Sequence, residues 1–128
     1  MKFAYTILYV DDVASTLAFY GKAFALPTRF LHDSGSYGEL ETGATALAFA
    51  SRAMLRELGK TPQAPALAQP SSEIALVTDD VPGAVARAVA AGATLVQDSK
   101  DMPWGQTIAY VGDVNGFLVE LCTPMAAD

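Results

Sequence analysis

The sequence predicts an α+β fold made of two tandem βαβββ modules with mixed sheets. Asp11-Asp12-Val13 recurs 68 residues later as Asp79-Asp80-Val81, with Leu8 falling on Leu76 and Leu17 on Val85. Each copy stands at the same place in the same order of elements, after one strand and before a helix and three more strands. Between the copies, residues 60–72 hold Pro62, Pro65 and Pro70 among Ala, Gln and Ser, and no other segment is linker-like. The 128-residue chain is thus expected to form a single domain over 1–128, with internal modules 1–59 and 71–125 and a linker at 60–70.

The elements follow from local chemistry. Residues 3–10 are rich in β-favouring Phe3, Tyr5, Ile7, Tyr9 and Val10. Asp11-Asp12 then offers a short carboxylate to the orphan N–H groups of a helix start. Val13, Leu17, Tyr20 and Phe24 recur at helical spacing, so a helix runs to about Ala25 and stops before Leu26-Pro27. Strands are expected at Thr28–His32, Ser36–Thr42 and Ala44–Ala50, separated by Asp33-Ser34-Gly35 and Thr42-Gly43. Ser51 can cap a short helix with Met54, Leu55 and Leu58 on its inner side and Gly59 at its end.

The second module reads the same way. Glu73–Thr78 is a strand, Asp79-Asp80 a cap, and Val81, Val85 and Val89 one helical face ending at Gly92. Strands follow at Thr94–Asp98, Gln106–Gly112 and Phe117–Cys122. Asn115-Gly116 signals a hairpin turn, since both residue types tolerate positive φ.

Composition narrows the partners. Hydrophobic residues make up 52% and charged residues 17%, which excludes a disordered chain. The net charge is -6, from 8 basic and 14 acidic residues. Nucleic acid is not expected, because Lys2, Lys22, Arg29, Arg52, Arg56, Lys60, Arg87 and Lys100 are scattered rather than clustered. No apolar run is long enough for a membrane span. The start, MKFAYTILYVDD, lacks the pattern of a signal peptide, so a cytoplasmic protein is expected. The single Cys122 excludes an intramolecular disulfide and reads as a buried, inert thiol.

Two stretches carry a family resemblance. Tyr9-Val10-Asp11-Asp12-Val13, then Leu17-Ala18-Phe19-Tyr20 and Phe24-Ala25-Leu26, form a strand, an acidic turn and a Phe-Tyr helix. Pro103-Trp104-Gly105, Asp113-Val114-Asn115-Gly116 and Glu120-Leu121 form a closing motif, with Val114 where Pro is usual. Together they resemble the vicinal oxygen chelate superfamily, which includes glyoxalase I, bleomycin resistance proteins and extradiol dioxygenases. The resemblance implies modules whose sheets curl into half-open cups that make a cleft. In metal-using members, His, Glu or Gln side chains on the first and last strand of each module hold a divalent ion. Those positions fall here on Tyr5, Ala48, Glu73 and Glu120. Ala48 has no donor, and Tyr5 is a poor ligand while protonated. The chain is therefore closest to the metal-free, bleomycin-resistance-like members, and no cofactor is expected. The alternative is a divalent ion on Glu73 and Glu120, completed by water.

The expected ligand-binding residues are Tyr5, Phe49, Glu73, Trp104, Tyr110 and Glu120. Glu120 is also the candidate acid or base of any reaction. Glu120 shares a strand face with Leu118, while Val119 and Leu121 share the other, better core face. Against this stands an ordinary solvated place for Glu73 and Glu120. Trp104 reads as a pocket wall or as a core or interface aromatic, and its amphipathic ring stacks well on flat guests. His32 reads either as a ligand contact or base, or as a surface residue at a turn. Met54 and Met102 read as core. The function so implied is sequestration of a cationic or amphipathic small molecule without metal. The alternative is a metal-dependent lyase, isomerase or dioxygenase. The open edges and apolar faces of such sheets, and the resemblance, lead us to expect a homodimer.

Overall fold

The structure is a computed structural model and describes residues 1–125. The chain divides into two compact units, Met1–Ala64 and Pro65–Asp128. Each contains one four-stranded mixed sheet, and the two sheets have the same strand order.

Unit one runs β1 (Tyr5–Val10), α1 (Val13–Phe24), β2 (Thr28–Leu31), β3 (Tyr37–Leu40), β4 (Ala46–Ser51) and α2 (Arg52–Glu57). Its sheet order is β1-β4-β3-β2, with β1 parallel to β4 and the remaining pairs antiparallel. Unit two runs β5 (Glu73–Val77), α3 (Val81–Ala90), β6 (Thr94–Asp101), β7 (Thr107–Gly112) and β8 (Leu118–Cys122), in the order β5-β8-β7-β6. Placing a first strand parallel to the last forces a crossover, and the long helix supplies it.

The repeated Asp-Asp pair works through its second member. Asp12 Oδ1 accepts from the Ser15 N–H at 2.8 Å, and Asp80 Oδ1 accepts from the Gly83 N–H at 3.0 Å. Both satisfy a backbone donor that the first helical turn leaves orphaned. The first member, Asp11, instead meets the buried Arg52, whose Nη2 lies 2.9 Å away and whose Nη1 donates to the Tyr9 carbonyl at 2.7 Å. That clamp fixes the exit of β1, and Arg52 was not among the residues expected to matter.

The unit-one core lies between α1 and one face of the sheet. Val13, Leu17 and Tyr20 are buried, and the Tyr20 ring sits 5.0 Å from Phe49. Phe49 pairs across the sheet with Gly38. A Cβ on Gly38 would stand 2.7 Å from Leu17 and 3.2 Å from Val13, so only glycine lets α1 come down here. In unit two, α3 packs on β6, β7 and β8, and the inward alternation buries Ala109, Val111, Val119 and Leu121.

Several local expectations change. Leu58 is 68% exposed rather than inward, because α2 is too short to bring it back over Leu55. β6 runs on to Asp101 through two register shifts, which let it follow β7 past Asp98. At the β7–β8 turn only Gly116 has positive φ. Asp113 sets this turn instead: its Oδ1 accepts from the N–H groups of Asn115 and Phe117, both at 2.8 Å, so Asn115 need not be left-handed.

Candidate ligand-binding site

Strand register defines which side chains share a face. In unit one Ile7 pairs with Ala48, and in unit two Ala75 pairs with Glu120. Ile7 and Ala75 are repeat partners, so Ala48 and Glu120 occupy equivalent places on the last strands. Two residues earlier, Tyr5 and Glu73 begin the equivalent first strands. All four lie on the sheet face turned away from the main helix of their unit.

On this face of unit two, Tyr110 pairs directly with Glu120. Its hydroxyl donates to Glu120 Oε1 at 3.0 Å. Burial, then the bond to Glu120 and the nearby charge of Glu73, push the Tyr110 phenol up to about 12. Burial and the charges of Glu120 and Glu73 also push the Cys122 thiol up, so it stays protonated and unreactive. Cys122 is buried, with its thiol 3.8 Å from the Leu76 carbonyl. Among the described residues no Lys or Arg lies within ion-pair distance of Glu120 or Glu73. The face is therefore anionic, with Glu120 half-buried, Glu73 exposed at the start of β5, and a neutral phenol between the strands.

The raised Tyr110 pKa has a sign that can be measured. A folded-state pKa above the unfolded value near 10 stabilises the protein below pH 10, and the contribution is lost as pH rises to about 12. Between pH 10 and 12, the stability advantage of the wild type over Tyr110→Phe should shrink in urea unfolding. A gap that stays constant over this range would contradict the Tyr110–Glu120 bond.

The other expected site residues fall in different places. Tyr5 is 56% exposed on β1 of unit one. Trp104 stands on the exposed Met102–Gly105 turn, where Gly105 has φ 101°. Its indole N–H donates to Gln106 Oε1 at 2.7 Å, and Gln106 Nε2 donates to the Thr123 carbonyl at 2.9 Å. This buried amide orients the ring and ties it to the end of β8. Phe49 does not line the face that carries Tyr5 and Ala48. It is fully buried against Tyr20 on the helix side of the sheet, because Gly38 opposite it opens space there and not on the other face. His32 is exposed at a turn, with Nδ1 accepting from the Ser34 N–H at 3.1 Å.

A further polar cluster in unit one was missed. Tyr37 donates to Glu39 Oε2 at 2.7 Å, and Arg29 Nη1 lies 3.8 Å from Glu39 Oε1. Glu39 pairs across the sheet with Ala48.

At the four positions of the expected ligand set, Ala48 supplies no donor and Glu120 Oε1 accepts from Tyr110, and among the described residues no three His, Cys, Asp or Glu side chains come together.

Two βαβββ units with this strand order define the vicinal oxygen chelate fold. The chain belongs to the glyoxalase-like domain family, whose model matches residues 3–126. A glyoxalase-related enzyme from Fulvimarina pelagi is similar in structure, with a TM-score of 0.83, 23% identity, and coverage of 97% of this chain and 88% of that one. A glyoxalase/bleomycin resistance protein/dioxygenase family enzyme from Burkholderia phytofirmans PsJN gives 0.74, 19%, 94% and 96% in the same order. TioX from Micromonospora sp. ML1 gives 0.72, 20%, 96% and 98%. These likenesses establish the fold, not a reaction. No curated protein sequence matches the chain significantly. Among the described residues no helix is long and apolar enough to cross a membrane.

Proposed function

We propose that the protein binds a cationic or amphipathic small molecule on the helix-free face of unit two, without a resident metal. The carrying observation is Glu120, half-buried, hydrogen-bonded to a neutral Tyr110, beside Glu73 and with no cationic partner among the described residues. A carboxylate so placed favours a guest that brings a positive charge or strong donors. The net charge of -6 attracts such a guest from a distance. Trp104, oriented by Gln106 and more than half exposed, offers a surface for flat or cationic groups.

Elemental analysis of protein purified without added metal tests the metal-free half of this proposal. The expected content is far below one ion per chain. A tightly held stoichiometric divalent ion would reverse the assignment, in favour of a metal-dependent lyase, isomerase or dioxygenase using Glu73 and Glu120.

The protein acts in the cytoplasm as a homodimer in this proposal. Its one cysteine is a buried thiol rather than half of a disulfide, which suits a reducing compartment. Phe3, Tyr5 and Ile7 leave an apolar row 70%, 56% and 42% exposed along the β1 edge, a surface usually covered. Light scattering should return about twice the 13.4 kDa chain mass at micromolar concentration. A mass of one chain throughout would contradict the dimer.

A further inference from the structure

We propose that the helix-free face of unit one carries a subsite for an organic amidinium or ammonium group, built from Glu39, Tyr37 and Phe30, where the group takes the place of Arg29 at Glu39.

The subsite is a rearranged counterpart of the one in unit two. In unit two the carboxylate comes from the last strand (Glu120) and the phenol from the strand beside it (Tyr110). In unit one the last-strand position is Ala48, and the carboxylate comes from the neighbouring strand as Glu39, directly opposite. The Ala48 methyl group leaves the space over the pair to Glu39. The phenol comes from Tyr37, two residues earlier on the same strand and so on the same face. Both units thus build a Tyr–carboxylate pair on the helix-free face, by different residues.

The two oxygens of Glu39 are engaged unequally. Its side chain is only 7% exposed, so it needs donors or a counter-charge. Tyr37 gives Oε2 a hydrogen bond at 2.7 Å. Among the described residues Oε1 has only Arg29 at 3.8 Å, too far for a hydrogen bond. Arg29 is itself half exposed and shared, with its Nε 3.8 Å from Glu41 Oε2. Such a long, solvated pair is weak. A planar amidinium that bonds Oε1 directly replaces it with a shorter, charge-assisted contact, and Arg29 retains Glu41. Phe30, 42% exposed with its ring 5.9 Å from Tyr37, supplies an aromatic face beside the charge. An anionic guest would meet two carboxylates around a single guanidinium.

The probe is benzamidine, with neutral benzamide and anionic benzoate as controls, followed by amide chemical shifts of the full chain. Benzamidine should shift Gly38 and Ala48 saturably, and neither control should. Glu39→Gln should weaken that binding roughly tenfold or more, the scale of a charge-assisted bond. Arg29→Ala, at a half-exposed position, should tighten it about two- to fivefold, with the remaining amide shifts of unit one unchanged. Equal shifts with benzamide, no saturable shift at Gly38 and Ala48, or no loss in Glu39→Gln would overturn the subsite. Benzoate shifts lost in Arg29→Ala would make it an anion site instead. Shifts at Ala75 and Ala109 report unit two separately, so failure here leaves the proposal for Glu120 standing, and the reverse.

Discussion

Phe49→Ala should lower the unfolding free energy by about 3–5 kcal/mol, the usual cost of deleting a buried aromatic ring. The ring has no exposed surface and packs at 5.0 Å against Tyr20, itself fully buried. Its cross-strand neighbour is Gly38, which has no side chain to refill the space, with Val13 and Leu17 packed over it. Urea unfolding should show a lower midpoint with an unchanged slope. A loss below about 1 kcal/mol would mean that Phe49 faces a solvated site rather than the α1 core.

That position also shows where sequence reasoning stops. β4 reads Ala-Leu-Ala-Phe-Ala, and both alternating sets are apolar, so strand parity alone cannot say which faces the helix. The deciding residue is Gly38 on another strand, whose missing side chain admits α1. Glu120 was legible because Val119 and Leu121 are plainly the better core pair, and both are buried. The same pattern was present in Tyr37-Gly38-Glu39-Leu40, an acid beside a fully buried leucine, and could have flagged Glu39.

The helix starts were legible for a different reason. A cap is local: Asp12 and Asp80 act on N–H groups three residues ahead. Arg52 was not legible, because its backbone partner Tyr9 lies 43 residues away and nothing near Arg52 in the chain announces it. The turn at Asn115-Gly116 was placed correctly but built differently. The Asp113 carboxylate takes two backbone donors, and that bonding, not the tolerance of Asn for positive φ, sets its shape.

Glu120→Gln carries the second large effect. The substitution keeps size and the contact with Tyr110 but removes the charge, so it separates recognition of a cation from packing. Trp104→Ala should weaken binding as well, through lost stacking, while leaving the charge dependence in place. Calorimetric titration of chelator-treated wild type and Glu120→Gln, both in a Glu39→Gln background that removes the unit-one charge, with an aromatic amidinium such as benzamidine is the direct measurement, with amide shifts at Ala75 and Ala109 assigning the binding to unit two. Metal-free wild type should bind it at unit two, and Glu120→Gln should lose about 1–3 kcal/mol, roughly five- to 150-fold in affinity. Equal affinity in the two proteins, or binding that appears only when a divalent ion is added back, would contradict a metal-free cation site at Glu120.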